Sequence, residues 1–192
     1  MIVTKDNIIT LPNSHLRQKS KRVGLITDDI RNIAEDMISA TLDWDDSREH
    51  EVGVALAAIQ IDRPFRIIIV RNNYEDKNDR SFTIFINPEI TKKEGETISD
   101  YEGCLSVPNL YGKVKRFSKV RVKALDINGK PFRVTATGYL ARIFQHEIDH
   151  TNGLVFIDHI KNDEDAFYKL TEEGKLKHLD YKDVKDNPLL WE

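Results

Sequence analysis

One pentapeptide constrains this 192-residue chain more than any other feature, the His-Glu-Ile-Asp-His at residues 146–150. Two histidines four residues apart leave the same face of a helix, about one turn from each other. Both imidazoles can then bind one metal ion, and Glu147 lies beside it as a general base. Apolar residues recur at helical spacing and predict that this helix enters a core: Leu140, Ile143, Phe144 and Ile148. Histidines and carboxylates buried there need a partner, which a metal would supply.

A third metal ligand is predicted at Cys104, the only cysteine, which lies within Glu-Gly-Cys-Leu-Ser at 102–106. Cysteine and two histidines would leave the fourth position of a tetrahedral site open for water. Simpler explanations stay open at this point, because such a pentapeptide can occur by chance on an exposed helix. A lone cysteine is also often just a small buried hydrophobe.

Charge and composition exclude several classes of function. A net charge of −3 gives no electrostatic reason to expect nucleic-acid or membrane binding. No apolar stretch approaches a transmembrane span, and the start of the chain has neither a signal-peptide nor a transit-peptide pattern. We therefore expect a bacterial-type cytoplasmic protein, with an organelle-encoded copy left open. The length predicts one domain over 1–192, with a charged C-terminal extension from about residue 161.

Periodicity predicts an α+β fold, in which small antiparallel or mixed sheets wrap around the metal-binding helix, with an N-terminal helix and a C-terminal helical extension. Helices are expected at 28–44, 139–150 and 163–176, and the second should end near Asn152 and Gly153. Strands are expected at 66–70, 82–86 and 120–124, with a hairpin turn at Asn128 and Gly129. Charged residues 43–51 and 71–80 are predicted to form solvated loops.

A third segment, Gly-Val-Ala-Leu-Ala-Ala-Ile-Gln at 53–60, ends an apolar run on Gln60. A glutamine amide donates hydrogen bonds without a titratable proton, which suits an oxyanion hole beside a metal. The alternative is a buried strand with an incidental polar end.

Together, residues 53–60, 102–106 and 145–150 resemble the three signature motifs of peptide deformylase, in the same order. The resemblance extends over about 8–160, including Leu11-Pro12, Asn87-Pro88 and the stretch 153–158. It implies that Cys104, His146 and His150 bind one divalent metal, and that Glu147 is the general acid and base. Gln60 and the backbone N–H of Leu105 would be the oxyanion donors.

The reaction that the resemblance implies is removal of the N-formyl group from the formyl-methionine of nascent peptides, with a metal-activated water as nucleophile and formate as product. Fe²⁺ is the ion that the family favours, and Zn²⁺, Ni²⁺ or Co²⁺ are possible in purified protein. Transient ribosome association is a further expectation, although lysines in the C-terminal tail alternate with aspartates and offer no basic face.

Substrate contacts are expected at six residues: Gly53, Val54, Ala55, Gly103, Tyr139 and Ile143. Val54, Tyr139 and Ile143 are expected to line an apolar slot for the methionine side chain, with simple core packing as an equal alternative. The chain departs from the family pattern at Ala55, where glycine is usual, and at Ile59, where proline is common. If position 55 needs a positive φ, alanine costs about 1–2 kcal/mol. If glycine admits the peptide backbone, the methyl group weakens binding instead. We expect the first case, a strained but active enzyme.

The remaining expectations concern one glutamate, one aspartate and four histidines. Glu102 should pair with an arginine such as Arg142, and Asp149 should either orient a ligand histidine or face solvent. The four other histidines lack metal-like spacing and are interpreted as surface residues: His15, His50, His159 and His178.

Two other functions remain possible. The first is a catalytically silent deformylase-like protein that binds peptide N-termini, which the intact set of chemical residues disfavours. The second is an endopeptidase, which would usually take its third ligand from a histidine or glutamate downstream of the helix.

Overall fold

The computed structural model describes residues 3–191. Its helices are α1 (Asp28–Asp46), α2 (Gly138–Thr151), α3 (Lys182–Lys185) and α4 (Pro188–Trp191). Its strands are β1 (Ala55–Ala57), β2 (Ile67–Arg71), β3 (Phe82–Cys104), β4 (Val107–Leu125), β5 (Pro131–Thr137), β6 (Phe167–Leu170) and β7 (Leu176–His178). The α+β class is confirmed, and within 3–191 these seven strands form one connected antiparallel sheet rather than several small ones. Their order is β1-β2-β3-β4-β6-β7, and β5 pairs with β4.

The first strands lie between the two long helices. Along β1, Ala55 and Ala57 pack on the side of α2, whereas Leu56 packs on the side of α1. This alternation follows from the two-residue period of a strand. On the α2 side, Phe144 meets Phe85 of β3 edge to face, with ring centroids 4.9 Å apart. As predicted, the metal-motif helix is therefore central and its apolar face lies in a core.

Gly153 follows the end of α2 in a left-handed conformation, at a place where no side chain fits. Its φ is +78°, and its N–H donates to the carbonyl of His150 at 3.0 Å. A Cβ at this position would lie 2.3 Å from the carbonyl oxygen of Arg17. The predicted terminator is thus confirmed, and it brings the N-terminal segment against the end of the helix.

A long hairpin of β3 and β4 positions the cysteine. The two strands pair from Ile86 opposite Leu125 to Cys104 opposite Val107. Cys104 is the last residue of β3, and the chain reverses through Leu105 and Ser106. The cysteine is therefore held at the tip of a paired ladder. Beyond the other end of β4, the predicted turn at Asn128 and Gly129 forms, with Gly129 at φ +81°.

The last thirty residues differ from the expectation. The helix predicted over 163–176 is wrong, because Phe167–Leu170 pairs with β4 and Leu176–His178 pairs with β6. Gly174, at φ +71°, makes the turn between these two strands. Helical structure in the extension is confined to the two four-residue helices α3 and α4. Among residues 3–191, no helix is both long and apolar enough to span a membrane.

Candidate metal and active site

The structure brings the three predicted metal ligands together. One ligand atom from each of Cys104, His146 and His150 lies within 4.8 Å of the other two. The Sγ of Cys104 is 3.3 Å from Nε2 of His150, and the two imidazole centroids are 5.0 Å apart. An ion bound at about 2.0–2.3 Å from nitrogen and sulfur can bridge atoms at these separations.

The chemistry of this cluster fits a divalent transition metal. Sulfur and imidazole nitrogen are ligands that zinc and iron share. Burial and the neighbouring His146 lower the pKa of His150 well below its usual value, so this ring is neutral, as a ligand must be. Burial opposes protonation of His146 too, but its hydrogen bonds to Cys104 and Glu102 raise its pKa well above the usual value. Positive charge is therefore favoured at this point, whether a proton on His146 or a metal ion carries it.

Glu102 fixes the ring of His146. The Oε2 of Glu102 accepts a hydrogen bond from Nδ1 of His146 at 3.0 Å, which leaves Nε2 of that ring for a metal. Glu102 also accepts from Arg116 at 2.9 and 3.0 Å and from Arg142 at 2.8 Å. Burial alone would raise the pKa of Glu102, but His146 and Arg116 hold it well below its usual value. The predicted Arg142 pair is confirmed, and Arg116 is a partner that sequence reasoning missed.

Asp149 follows neither of the two expectations for it. Its carboxylate bonds Arg116, and it lies 2.7 Å from Nε2 of His159. His159 is exposed, as predicted, and it is also a partner in the network behind Glu102. Asp149 supports the metal ligands only through Arg116.

Glu147 carries an unsatisfied oxygen. Its side chain is buried beside His146, and within 3–191 its Oε2 has no hydrogen-bond partner. Burial raises the pKa of Glu147 to about 7, against the opposing effect of His146. Buried polar atoms are nearly always paired, so an orphaned carboxylate oxygen at this position fits a group that bonds a bound water, metal ligand or substrate. The Nδ1 atom of His150 likewise has no partner in the described residues.

Gln60 is oriented by two fixed contacts. Its Oε1 accepts from the backbone N–H of Ala57 at 2.9 Å, and its Nε2 donates to Oγ of Ser106 at 3.0 Å. The same Nε2 lies 3.5 Å from Sγ of Cys104. The amide therefore presents its donor side to the cluster. Ser106 was missed, although its position two residues after the cysteine was a signal.

A cavity of about 300 Å³ opens over the cluster. Val54, Ala55, Gly103, Tyr139 and Ile143 line it, as do Gln60, Cys104, Leu105, His146 and Glu147. Glu102 and Arg142, predicted only as a pair, line it as well. Seven more lining residues were not predicted as part of the site: Trp44, His50, Glu51, Val52, Tyr74, Tyr101 and Tyr111.

Gly53 lies outside this cavity. Its N–H donates to Asp45 at 2.8 Å, and its carbonyl accepts from Arg71 at 3.0 Å. A Cβ here would lie 2.7 Å from Cγ2 of Thr41, so glycine is needed for packing against α1.

Ala55 is not strained. It lies in β1 opposite Val70, and it is absent from the residues with positive φ. The explanation by backbone strain is therefore wrong, and the alternative, that the methyl group weakens peptide binding, stays a prediction. Ile59 is buried in the core on the α2 side, so it is accommodated without a proline.

Replacing Ala55 by glycine is expected to lower the free energy of unfolding by about 0.5–1 kcal/mol, because glycine loses more backbone entropy in a strand. Relief of strain would instead raise it. Urea denaturation of the two proteins, with the exposed Ser99→Gly in β3 as a control, measures the sign. A more stable Ala55→Gly protein would contradict the extended, unstrained backbone.

Comparison with known proteins agrees with this geometry. The family model described as "Polypeptide deformylase" matches residues 5–166. Peptide deformylase 1 of Pseudomonas syringae is 41% identical over 157 residues, which cover 81% of this chain and 87% of that relative. Peptide deformylase of Mesorhizobium japonicum is 44% identical over 154 residues, covering 80% and 82%.

Solved structures give the same result. The crystal structure of a peptide deformylase from Legionella pneumophila superposes with a TM-score of 0.71 at 38% identity, covering 82% of this chain and 85% of that one. The enzyme from Synechococcus elongatus, solved in complex with actinonin, gives 0.71 at 35% identity, covering 81% and 79%. With the motifs, the fold and these relatives in agreement, the chain belongs to the peptide deformylase family of enzymes.

Proposed function

We propose that this enzyme hydrolyses the N-formyl group of formyl-methionine at the start of newly synthesised polypeptides and releases formate. The observation that carries the proposal is the unpartnered Oε2 of Glu147, a buried residue at the wall of the cavity that Cys104 and His146 also line. A buried carboxylate with a free oxygen can exchange a proton with a bound water or substrate.

Cys104, His146 and His150 would hold one divalent ion. When bound, such an ion supplies Lewis acidity, which makes hydrolysis by water possible at neutral pH. The donor set suits several ions about equally. We propose Fe²⁺ in the cell, because the family resemblance favours it, and Zn²⁺, Ni²⁺ or Co²⁺ as possible occupants of purified protein.

Glu147 takes a proton from the attacking water in this proposal and returns it to the departing amine. The second transfer is essential, because an unprotonated amide nitrogen is a poor leaving group. Arg116 and Arg142 neutralise Glu102, another carboxylate that lines the cavity. Glu102 is therefore not the group that carries the proton.

Gln60 and the backbone N–H of Leu105 stabilise the negative charge that develops on the formyl oxygen. The side-chain amide of Gln60 is already held by Ala57 and Ser106, so little reorganisation is needed during the reaction. A fixed donor of this kind typically lowers a barrier by about 3 kcal/mol.

The peptide is proposed to bind as an added strand. Strand β1 is the first in the sheet order, and in the described residues only β2 pairs with it. Its other edge is free to bond an extended backbone next to Gly103. Val54, Tyr139 and Ile143 then surround the methionine side chain, because all three line the cavity.

Formate release from formyl-Met-Ala-Ser tests this function. Protein prepared without oxygen and analysed for metal is expected to release formate, to lose activity with a chelator, and to regain it when Fe²⁺, Ni²⁺ or Zn²⁺ is added. If no metal-loaded form released formate, the silent, peptide-binding alternative would stand instead. Cleavage of an internal peptide bond, with the formyl group left in place, would favour an endopeptidase.

N-formylmethionyl nascent chains are the proposed partners, met in a bacterial-type cytoplasm where translation occurs. Transient contact with the ribosome is proposed for the same reason. A net charge of −3 gives little general attraction to RNA, so co-sedimentation with ribosomes at moderate salt is the informative measurement. We also propose that residues 1–192 act as a single catalytic domain.

A further inference from the structure

The loop 71–80 connects β2 to β3 and is mostly exposed, as its charged sequence predicts, but a buried arginine anchors it. Arg71, 1% exposed, donates to the carboxylate of Asp45 at 2.7 Å and to the carbonyl of Gly53 at 3.0 Å. The same guanidinium donates to the loop carbonyls of Lys77 and Asp79. One buried cation therefore ties the loop to the end of α1 and to the segment that leads into β1.

This anchored loop presents an aromatic ring to the active-site cavity. Tyr74 is half-buried and lines the cavity, and its ring centroid lies 5.5 Å from that of Tyr139, with the planes tilted by 58°. The backbone N–H of Asn73 donates to Asp79 at 2.6 Å and closes the loop just before the tyrosine. Tyr74 is thus held against α2 by structure on both sides of it.

Helix α2 sets the depth of this aromatic pair in the cavity. Tyr139 is seven residues before His146, which is about 10 Å of helix rise. Ile143 lies between them on the cavity side. The tyrosines therefore form the outer wall of the apolar slot, away from the metal ligands and within reach of the end of a long side chain.

We propose that Tyr74 is a specificity-determining residue, which with Tyr139 forms an aromatic wall that contacts the thioether of the substrate's first residue. The inference rests on the proposed function, because the proposed function places the methionine side chain of the substrate in the apolar slot. Sulfur is attracted to aromatic rings more than a methylene is, by an amount equivalent to about a twofold to tenfold change in binding.

Norleucine replaces the sulfur of methionine by a methylene and therefore isolates this contact. We expect Tyr74→Leu, which keeps an apolar side chain, to lower the preference for formyl-Met-Ala-Ser over formyl-norleucine-Ala-Ser by about twofold to tenfold. The change should lie in KM, with kcat retained, because the wall holds the side chain and not the reacting group. Tyr74→Phe should keep the preference, since it keeps the ring.

Glu75→Ala is the matched control, because Glu75 is exposed, adjacent, and does not line the cavity. An unchanged preference in Tyr74→Leu, or an equal loss on both substrates, would overturn the inference. A lost preference in Tyr74→Phe would also overturn it. Thermal melts of each variant show whether the loop's anchoring has been disturbed.

Failure of the proposed function gives a different result. In that case the metal-loaded wild-type protein would release no formate from either substrate. The wall would still be tested by calorimetric binding of Met-Ala-Ser and norleucine-Ala-Ser, whose affinity ratio must fall in Tyr74→Leu if the inference holds. An unchanged ratio would overturn it independently of catalysis.

Discussion

Glu147→Gln is expected to abolish formate release, lowering kcat by at least about 1000-fold, while the protein keeps its metal. Glutamine has nearly the same shape as glutamate, but it can neither accept a proton from water nor deliver one to an amine. In the described residues, the two other carboxylates that line the cavity already have partners. Glu102 is bonded by Arg116, Arg142 and His146, and Glu51 accepts from the hydroxyl of Tyr111. The unpartnered Oε2 of Glu147 is the atom whose chemistry is removed.

Metal content per chain and single-turnover formate release, measured on the same preparation, check this expectation. The proteins to compare are wild type, Glu147→Gln and Glu164→Gln, the last being an exposed residue beyond the metal helix. We expect full metal content in all three and activity in the first and third. Substantial turnover by Glu147→Gln would reject Glu147 as the proton carrier, whereas loss of metal would show a structural role.

Local patterns were sufficient to predict the metal cluster. The two histidines lie on one helix, so their spacing alone fixes their relative position. Cys104 could be added because it is the only cysteine of the chain and lies in a recognisable motif. The terminator Gly153 and the turn at Asn128 and Gly129 were also predictable, since each depends on a few adjacent residues.

The supporting network could not be predicted in the same way. Arg116 reaches Glu102 only because β3 and β4 pair in a particular register, with Glu102 opposite Gly112. That register contains four irregularities, each of which changes which side chains meet. A sequence read one segment at a time does not contain this information.

Buried charges and short strands were the other sources of error. Asp45 lies in a charged run that predicts a loop, but it is 1% exposed and bonds Arg71 and Gly53. Residues 163–176 have charges compatible with a helix, yet pairing with β4 satisfies the backbone of Phe167–Leu170 instead. In both cases a distant partner decides the local structure, which propensity cannot show.

Glu102→Gln is expected to lower the free energy of unfolding of the metal-free protein by about 3–5 kcal/mol, because it leaves buried cations without their counter-ion. The side chain of Glu102 is 3% exposed, and those of Arg116 and Arg142 are 6% and 7% exposed. Arg116 keeps Asp149, but Arg142 has no second carboxylate among its contacts in the described residues.

The same change is expected to weaken metal binding by about 10- to 100-fold, because the hydrogen bond from His146 loses its charged acceptor. Urea denaturation and chelator competition measure the two effects separately. Glu94→Gln is the matched control, since Glu94 lies on the same strand and also pairs with two cations, Lys92 and Arg121, but at the exposed surface.

Comparing Glu102→Gln with Glu94→Gln shows whether the loss of stability comes from the burial of the ion pairs or from the loss of pairing itself. Water replaces a lost partner at Glu94, so we expect little change in stability and none in metal affinity there. At Glu102 water is excluded, and the arginines must either stay unpaired or move and disturb α2. Equal stability of the two variants would mean that the Glu102 network is hydrated in solution, and Glu102 would then not be the residue that holds His146 in place.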